Sequence, residues 1–187
     1  MKIDAETGLL DSARQVESPN YDSRPDDAVP DLIIIHGISL PPEKYGGPWI
    51  DQLFTNALDP NEHPYFQEIY QFEVSSHVLI RRTGEIVQYV PFHMRAWHAG
   101  KSNYQGRERC NDFSIGIELE GCDDKPYDDS QYPPLVALIN TLIEVYPSLS
   151  IKQIVGHCDV APGRKTDPGP CFDWQKLHHL LGNGIYT

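Results

Sequence analysis

The chain has 187 residues, 40% hydrophobic and 22% charged, which suits one globular domain and is barely enough for two. Its 27 acidic against 15 basic side chains give a formal net charge of −12. That balance argues against nucleic acid as a partner, because phosphate binding needs a basic footprint.

The chain begins MKIDAETGLLDSARQV, interrupted by Asp4, Glu6, Asp11 and Arg14, and lacks the apolar core of a signal peptide. No window approaches the roughly eighteen apolar residues of a membrane span. A cytoplasmic protein with no membrane partner is expected. Ser18 to Pro30 is rich in Pro, Asp and Ser and reads as an irregular lead-in. Leu32-Ile33-Ile34-Ile35-His36, between Pro30 and Gly37, predicts a strand buried on both faces. A loop over 39–47 follows. Pro48 to Leu58 then spaces Trp49, Ile50, Leu53, Phe54 and Leu58 as a helix does.

Glu73 to Ile80 and Glu85 to Tyr89, joined by Arg82-Thr83-Gly84, predict a hairpin. Residues 97–112 are too polar and glycine-rich for a regular element, and a connection of that length is usually functional. Ser114 to Glu120 alternates, with Ile115, Ile117 and Leu119 on one face and Ser114, Gly116, Glu118 and Glu120 on the other. Leu135, Leu138, Ile139, Leu142, Ile143 and Tyr146 form the stripe of a helix over Gln131 to Tyr146. A short strand over Ile151 to Val155, a loop over 158–171 and a closing helix over Phe172 to Leu181 complete the chain. No apolar helix stripe is left over, so a monomer is expected. Cys110, Cys122, Cys158 and Cys171 form no CxxC pair and read as thiols of a reducing compartment.

Polar groups fall where elements end. His36 closes one strand, His157 follows another, and Asp167 lies ten positions later (167 − 157 = 10). Two imidazoles and one carboxylate suit catalytic zinc, which keeps a fourth position open for water. Strand ends also hold ligands rigidly. Each residue has a plain structural alternative: a histidine after a buried strand is often only hydrogen-bonded, and Asp167 before Pro168 is a natural turn former. The spacing is that of a loop, not of a helical HExxH, so the residues alone leave both readings open.

Five stretches carry a resemblance: HGISLPP (36–42), FxxxLDPNEHPYF (54–66), VSSHVLIRRTGEIVQYVPF (74–92), RAWHAGKSNYQGRERCNDFSIGIELEG (95–121) and VGHCDVAPGRKTDPGPCFDW (155–174). In this order they are similar to the AmpD-type 1,6-anhydro-N-acetylmuramyl-L-alanine amidases, part of a wider zinc amidase fold shared with phage-type amidases and peptidoglycan-recognition proteins. The likeness runs from about Pro19 to Trp174. It implies a single α/β domain with a central mixed sheet flanked by helices. Residues 1–18 would be an N-terminal extension and 19–181 the catalytic core.

The resemblance also implies Zn2+ held by His36, His157 and Asp167, with Glu118 as catalytic carboxylate and Lys165 as catalytic lysine. The substrate implied is a small muropeptide, cut between its lactyl group and L-alanine during cell-wall recycling. Alternation puts Glu120 on the same face as Glu118, so the choice of Glu118 rests on the resemblance. A peptide stem bearing carboxylates calls for local cations, and the 97–109 loop offers Lys101, Arg107 and Arg109. Trp97 and His98 are expected at the sugar or peptide, with Trp97 stacking and Arg109 gripping a carboxylate bidentately.

His77 is either a group behind the site that supports its ligands or a packed core histidine, and the structural reading is preferred. Cys158 is set aside as a ligand, because neighbouring strand residues point to opposite faces. One departure is Gly37, where the family often carries Asn. The rival readings are a non-catalytic recognition module, which would be expected to lose a ligand or the Glu–Lys pair, and a lytic amidase acting on polymeric peptidoglycan.

Overall fold

The apolar run at 32–35 has no side that tolerates water, and it becomes a central strand. In the computed structural model, which describes residues 1–183, this is β3 (Leu32–Ile38), with Leu32 to Ile35 fully buried. Its neighbours are β9 (Ser114–Glu120) on one side and β10 (Ile154–Gly156) on the other, both parallel to it. Beyond β9 lie β4 (Val78–Ile80), β5 (Ile86–Gln88) and β1 (Arg14–Gln15), giving a six-stranded mixed sheet ordered β1-β5-β4-β9-β3-β10. Only the β4–β5 hairpin is antiparallel. This is the α/β architecture expected.

Helices cover both faces. α3 (Tyr132–Val145) and α5 (Trp174–Asn183) pack Leu135, Leu138, Leu142, Leu177 and Leu181 against Ile33, Ile35, Ile115 and Ile117. On the opposite face, α1 (Trp49–Phe54) and α2 (Phe66–Ile69) bury Ile50, Leu53, Phe54 and Phe66 against Leu79 and Val87. Further along that face, Ala99, Cys110, Phe113 and Val160 cover Leu32 and Ile34. The alternation in β9 therefore marks no solvated face: all seven of its residues are buried, and its polar side chains need partners inside the protein. Among the described residues no helix is long and apolar enough to cross a membrane.

The structure departs from the sequence reading at several points. α1 stops at Phe54, and Asn56 just beyond it is left-handed (φ 59°), a conformation Asn tolerates better than most residues. The 97–112 stretch contains a miniature hairpin, β7 (Asn103–Tyr104) and β8 (Arg107–Glu108), turning through Gln105 and Gly106 at φ 51° and 86°. Two consecutive positive φ values are the requirement of a tight hairpin turn, but Gln-Gly is a weaker signal of it than Asn-Gly. Residues 151–153 form a 3-10 turn before β10, and His157 opens a one-turn helix, α4 (His157–Val160). The segment 1–18 lies on the sheet: Leu10 is buried and Arg14–Gln15 is its edge strand. β2 (Tyr21–Asp22) and β6 (Arg95–Ala96) pair as a separate antiparallel ladder.

Candidate active site

The parallel strands β3, β9 and β10 deliver side chains at their carboxyl ends, where ligands collect in open α/β sheets. The register sets His36 beside Glu118 on β9, and Ile35 beside Gly156 on β10. His157, one residue past β10, thereby comes against His36. The loop after α4 returns Asp167 to the same point, tied by the Cys158 amide donating to the Asp167 carbonyl (3.0 Å). Nδ1 of His36 lies 2.9 Å from Nδ1 of His157, and Oδ2 of Asp167 lies 3.3 Å and 3.1 Å from the two. These three residues form a possible metal site among the described residues.

The chemistry of this donor set fits a cation. Nε2 of His157 faces the Ala99 carbonyl at 3.2 Å; a carbonyl only accepts, so Nε2 carries the proton and a neutral ring turns a bare Nδ1 to the centre. Burial lowers His36 to a pKa of about 4, against the pull of Asp167 in the other direction, so its ring is neutral near pH 7. Burial pushes the Asp167 carboxyl up, but its place beside the His157 and His36 rings outweighs this and keeps it below the ordinary carboxylate value, ionised near pH 7. Lone pairs thus converge within 3.3 Å. Ligands about 2.0–2.2 Å from a tetrahedral zinc ion stand about 3.3 Å apart, so the spacing suits that ion with little rearrangement.

The triad lies in a cleft of about 730 Å³ that is also lined by Glu118, Lys165, Trp97, His98 and Gly37, with Leu53, Phe54, Tyr65, Ile69 and Phe72 forming an apolar wall. Glu118 is 8% exposed, and its Oε1 stands 3.9 Å from Nδ1 of His36. Burial raises its pKa well above the ordinary carboxylate value; the Asp167 charge adds to this and Lys165 opposes it. The expected metal set and the Glu118–Lys165 pair therefore share one cavity.

The expected cationic contacts do not. Arg107 pairs with Asp31 (2.7 Å) and lies over the Phe113 ring. Arg109, left-handed at φ 60°, pairs with Asp112 (3.1 Å) and borders a different depression with Lys101 and Arg164. Each guanidinium finds a carboxylate near it and stays outside the cleft. Trp97 lines the cleft, with its indole N–H donating to Asp22 (3.2 Å). His98 lines it too, half-buried, with its ring packed edge-on against His36.

A family model described as N-acetylmuramoyl-L-alanine amidase matches residues 26–170. The chain belongs to this family. Over 176 residues it is 61% identical to the 1,6-anhydro-N-acetylmuramyl-L-alanine amidase AmpD of Escherichia coli (strain K12), covering 94% of this chain and 96% of that protein. A crystal structure of a Se-Met AmpD derivative superposes with a TM-score of 0.93 at 60% identity, covering 97% of this chain and 99% of that one. The N-acetylmuramyl-L-alanine amidase AmiD from E. coli, solved with anhydro-N-acetylmuramic acid-L-Ala-D-gamma-Glu-L-Lys, gives a TM-score of 0.57 at 29% identity, covering 95% and 65%.

Several residues that shape this amidase site left little trace in the sequence. Tyr127 donates from its hydroxyl to the Pro168 carbonyl (2.9 Å), next to Asp167. A Cβ on Gly37 would stand 2.1 Å from that hydroxyl oxygen, so the missing side chain makes room for Tyr127. Arg164 donates to the carbonyls of Ala99 (2.5 Å) and Lys101 (2.8 Å), joining the two long loops. Glu120 points away from the metal site; it accepts from the amides of Gly46 (2.6 Å) and Arg82 (3.2 Å) and from Arg81 (3.4 Å), and so anchors the 39–47 loop. His77 accepts from the Gly116 amide at Nδ1 (3.0 Å) and faces the Met94 carbonyl at Nε2 (3.1 Å), the packed core histidine expected. Cys158 lies outside the donor cluster, but for a different reason than strand alternation: it sits one helical step, about 100°, round α4 from His157.

Proposed function

We propose that this amidase binds zinc through His36, His157 and Asp167 and hydrolyses the amide joining the lactyl group of 1,6-anhydro-N-acetylmuramic acid to L-alanine in small muropeptides. The observation that carries this reading is the convergence of three lone-pair donors within 3.3 Å, in the cleft that also holds Glu118 and Lys165. A non-catalytic module would have no reason to keep all five. The cleft volume of about 730 Å³ is that of a small-molecule pocket. The names of the relatives at about 60% identity, and the anhydromuramyl peptide bound to AmiD, support the substrate. On this reading the enzyme works in cytoplasmic cell-wall recycling. Residues 19–181 form its catalytic core, and residues 1–18 extend it as a strap along the sheet edge.

Zinc in such a site supplies a Lewis acid and brings the pKa of a bound water towards about 7. Glu118, as carboxylate, takes the proton of the attacking water and later delivers it to the departing amine of L-alanine. Lys165 places a fixed cation against the oxyanion that develops on the lactyl carbonyl, where charge in a shielded cleft acts most strongly. Its field also draws Glu118 back towards the ionised form that a base requires. Trp97 offers a flat surface to the sugar at the cleft wall.

The test is incubation of the purified protein, with zinc and after chelation, with anhydromuramyl-tripeptide and separately with intact murein. Zinc-dependent release of free tripeptide with little action on murein is expected. Rapid murein solubilisation would reassign the substrate to the polymeric wall. Turnover that survives complete removal of the metal would overturn the mechanism.

A further inference from the structure

We propose that His98 is a positioning residue for the metal site: it fixes the tautomer of His36 through a hydrogen-bond chain whose direction is set at the Cys110 carbonyl. The inference rests on the reading of His36, His157 and Asp167 as metal ligands.

The direction follows from donor and acceptor accounting. Oγ of Ser114 is 2.6 Å from the Cys110 carbonyl oxygen, which only accepts, so the single hydroxyl proton points there. Oγ also lies 3.2 Å from Nε2 of His98. Having spent its proton, it accepts from that nitrogen. The His98 ring is half-buried, edge-on to the His36 and His77 rings and beside the Ser114 hydroxyl. With the proton of the neutral imidazole at Nε2, Nδ1 is left bare. Nδ1 stands 2.9 Å from Nε2 of His36 and accepts its N–H. His36 therefore holds its proton at Nε2 and turns the Nδ1 lone pair towards His157 and Asp167.

The Ala99 carbonyl does the same for His157 directly. Without such a chain, the metal-free protein would favour the other His36 tautomer. A proton on Nδ1 would lie between that nitrogen and either Nδ1 of His157 or Oδ2 of Asp167, in the metal's own place.

The sequence builds this arrangement from two unremarked features. A Cβ at position 116 would stand 2.6 Å from Cγ and Nδ1 of His98, so glycine in β9 is what lets the ring lie on the strand. The amides of His98 (3.2 Å) and Ala99 (2.7 Å) both donate to Oδ1 of Asn111, which holds the loop in place. The histidine expected from sequence at the substrate thus serves the metal ligand.

Zinc affinity of the full chain is to be measured by chelator competition for the native protein and for His98→Leu, His98→Asn and Ser114→Ala. In parallel, the protonated nitrogen of His36 is read in each metal-free protein by 15N imidazole spectroscopy. His98→Leu should bind zinc about 10–100-fold more weakly, the usual cost of losing a partner behind a metal-bound histidine. His98→Asn, whose Oδ1 overlies the lost Nδ1, should recover most of that affinity. Ser114→Ala should fall between them and carries the test if His98→Leu does not fold. Metal-free native protein should show His36 protonated at Nε2, with Nδ1–H appearing in His98→Leu. Unchanged zinc affinity with a raised KM would return His98 to the substrate and overturn the inference, as would Nε2–H persisting alone in His98→Leu. If the native protein bound no zinc, the ligand assignment would fail, while the tautomer readout would still judge the chain.

Discussion

Glu118 is under two opposed demands. The sheet buries it beside His36, which favours the neutral acid, whereas a general base has to be ionised. A buried carboxyl with a raised pKa costs stability as pH rises above its unfolded value, since the folded state then resists losing the proton. Glu118→Gln should therefore leave zinc binding intact and lower turnover by about 10²–10⁴. It should also raise the melting temperature of the metal-free protein at pH 7, since the buried carboxyl no longer resists losing its proton. A variant that lost activity together with its zinc would mark Glu118 as a ligand instead. Lys165→Ala should reduce kcat by roughly 10²–10³ with the metal retained; a change confined to KM would remove it from the oxyanion. At this scale the sequence was readable where residue type and strand end coincide, as at His36 and His157, which the structure brings to 2.9 Å of each other; Glu118 was told from Glu120 only by the resemblance. The surroundings of Arg107 were not readable: its partner Asp31 lies 76 positions away, and no local pattern announces a pairing at that distance.

Among the elements, the legible ones were those whose burial is uniform. β9 and α3 fall within a residue of their expected limits, because one sits in mid-sheet and the other packs a continuous stripe. The hairpin strands are shorter than expected, at three residues each, since residues 73–77 are diverted to bond with neighbouring loops: the Ser75 amide donates to the Trp97 carbonyl, and the Ser75 hydroxyl to that of Asn20. The approach of β3 to the 122–131 segment was not legible at all. There Gly37 admits the Tyr127 hydroxyl, which holds the Pro168 carbonyl and so steadies the loop that carries Asp167. Gly37→Ala should cost about 1–3 kcal/mol by overpacking. In a Tyr127→Phe background, where the nearest ring carbon would still be 3.4 Å away, the same substitution should cost less than half as much. Urea melts of the four proteins measure the coupling; strictly additive effects would mean that Gly37 owes nothing to Tyr127.

For the molecule as a whole, acid and metal act through the same residues. Folding holds His36 neutral, at a pKa of about 4, and His77 at about 3, mainly by burial, against about 6.5 in an unfolded chain. Between those values the unfolded state binds more protons, so metal-free stability rises with pH and is lost as pH falls from about 6.5. The slope approaches about 1.4 kcal/mol per pH unit for each histidine. Glu118 works against it above its unfolded pKa. Asp167, depressed in the fold, adds to the loss only below the ordinary carboxylate range. Bound zinc adds about 4 kcal/mol when its free concentration is a thousand times Kd. Chelation at pH 7 should then lower the melting temperature by roughly 8–16 °C, and the gap should close towards pH 5 as protons compete for the ligands. The general charge of −12 gives the opposite expectation for the metal-free protein. Approach to the isoelectric point near 4.9 relieves self-repulsion and should stabilise the fold. Calorimetry of metal-free protein from pH 7 to 5 decides between them. A falling melting temperature assigns acid sensitivity to the buried histidines, and a rising one would mean that overall charge governs it.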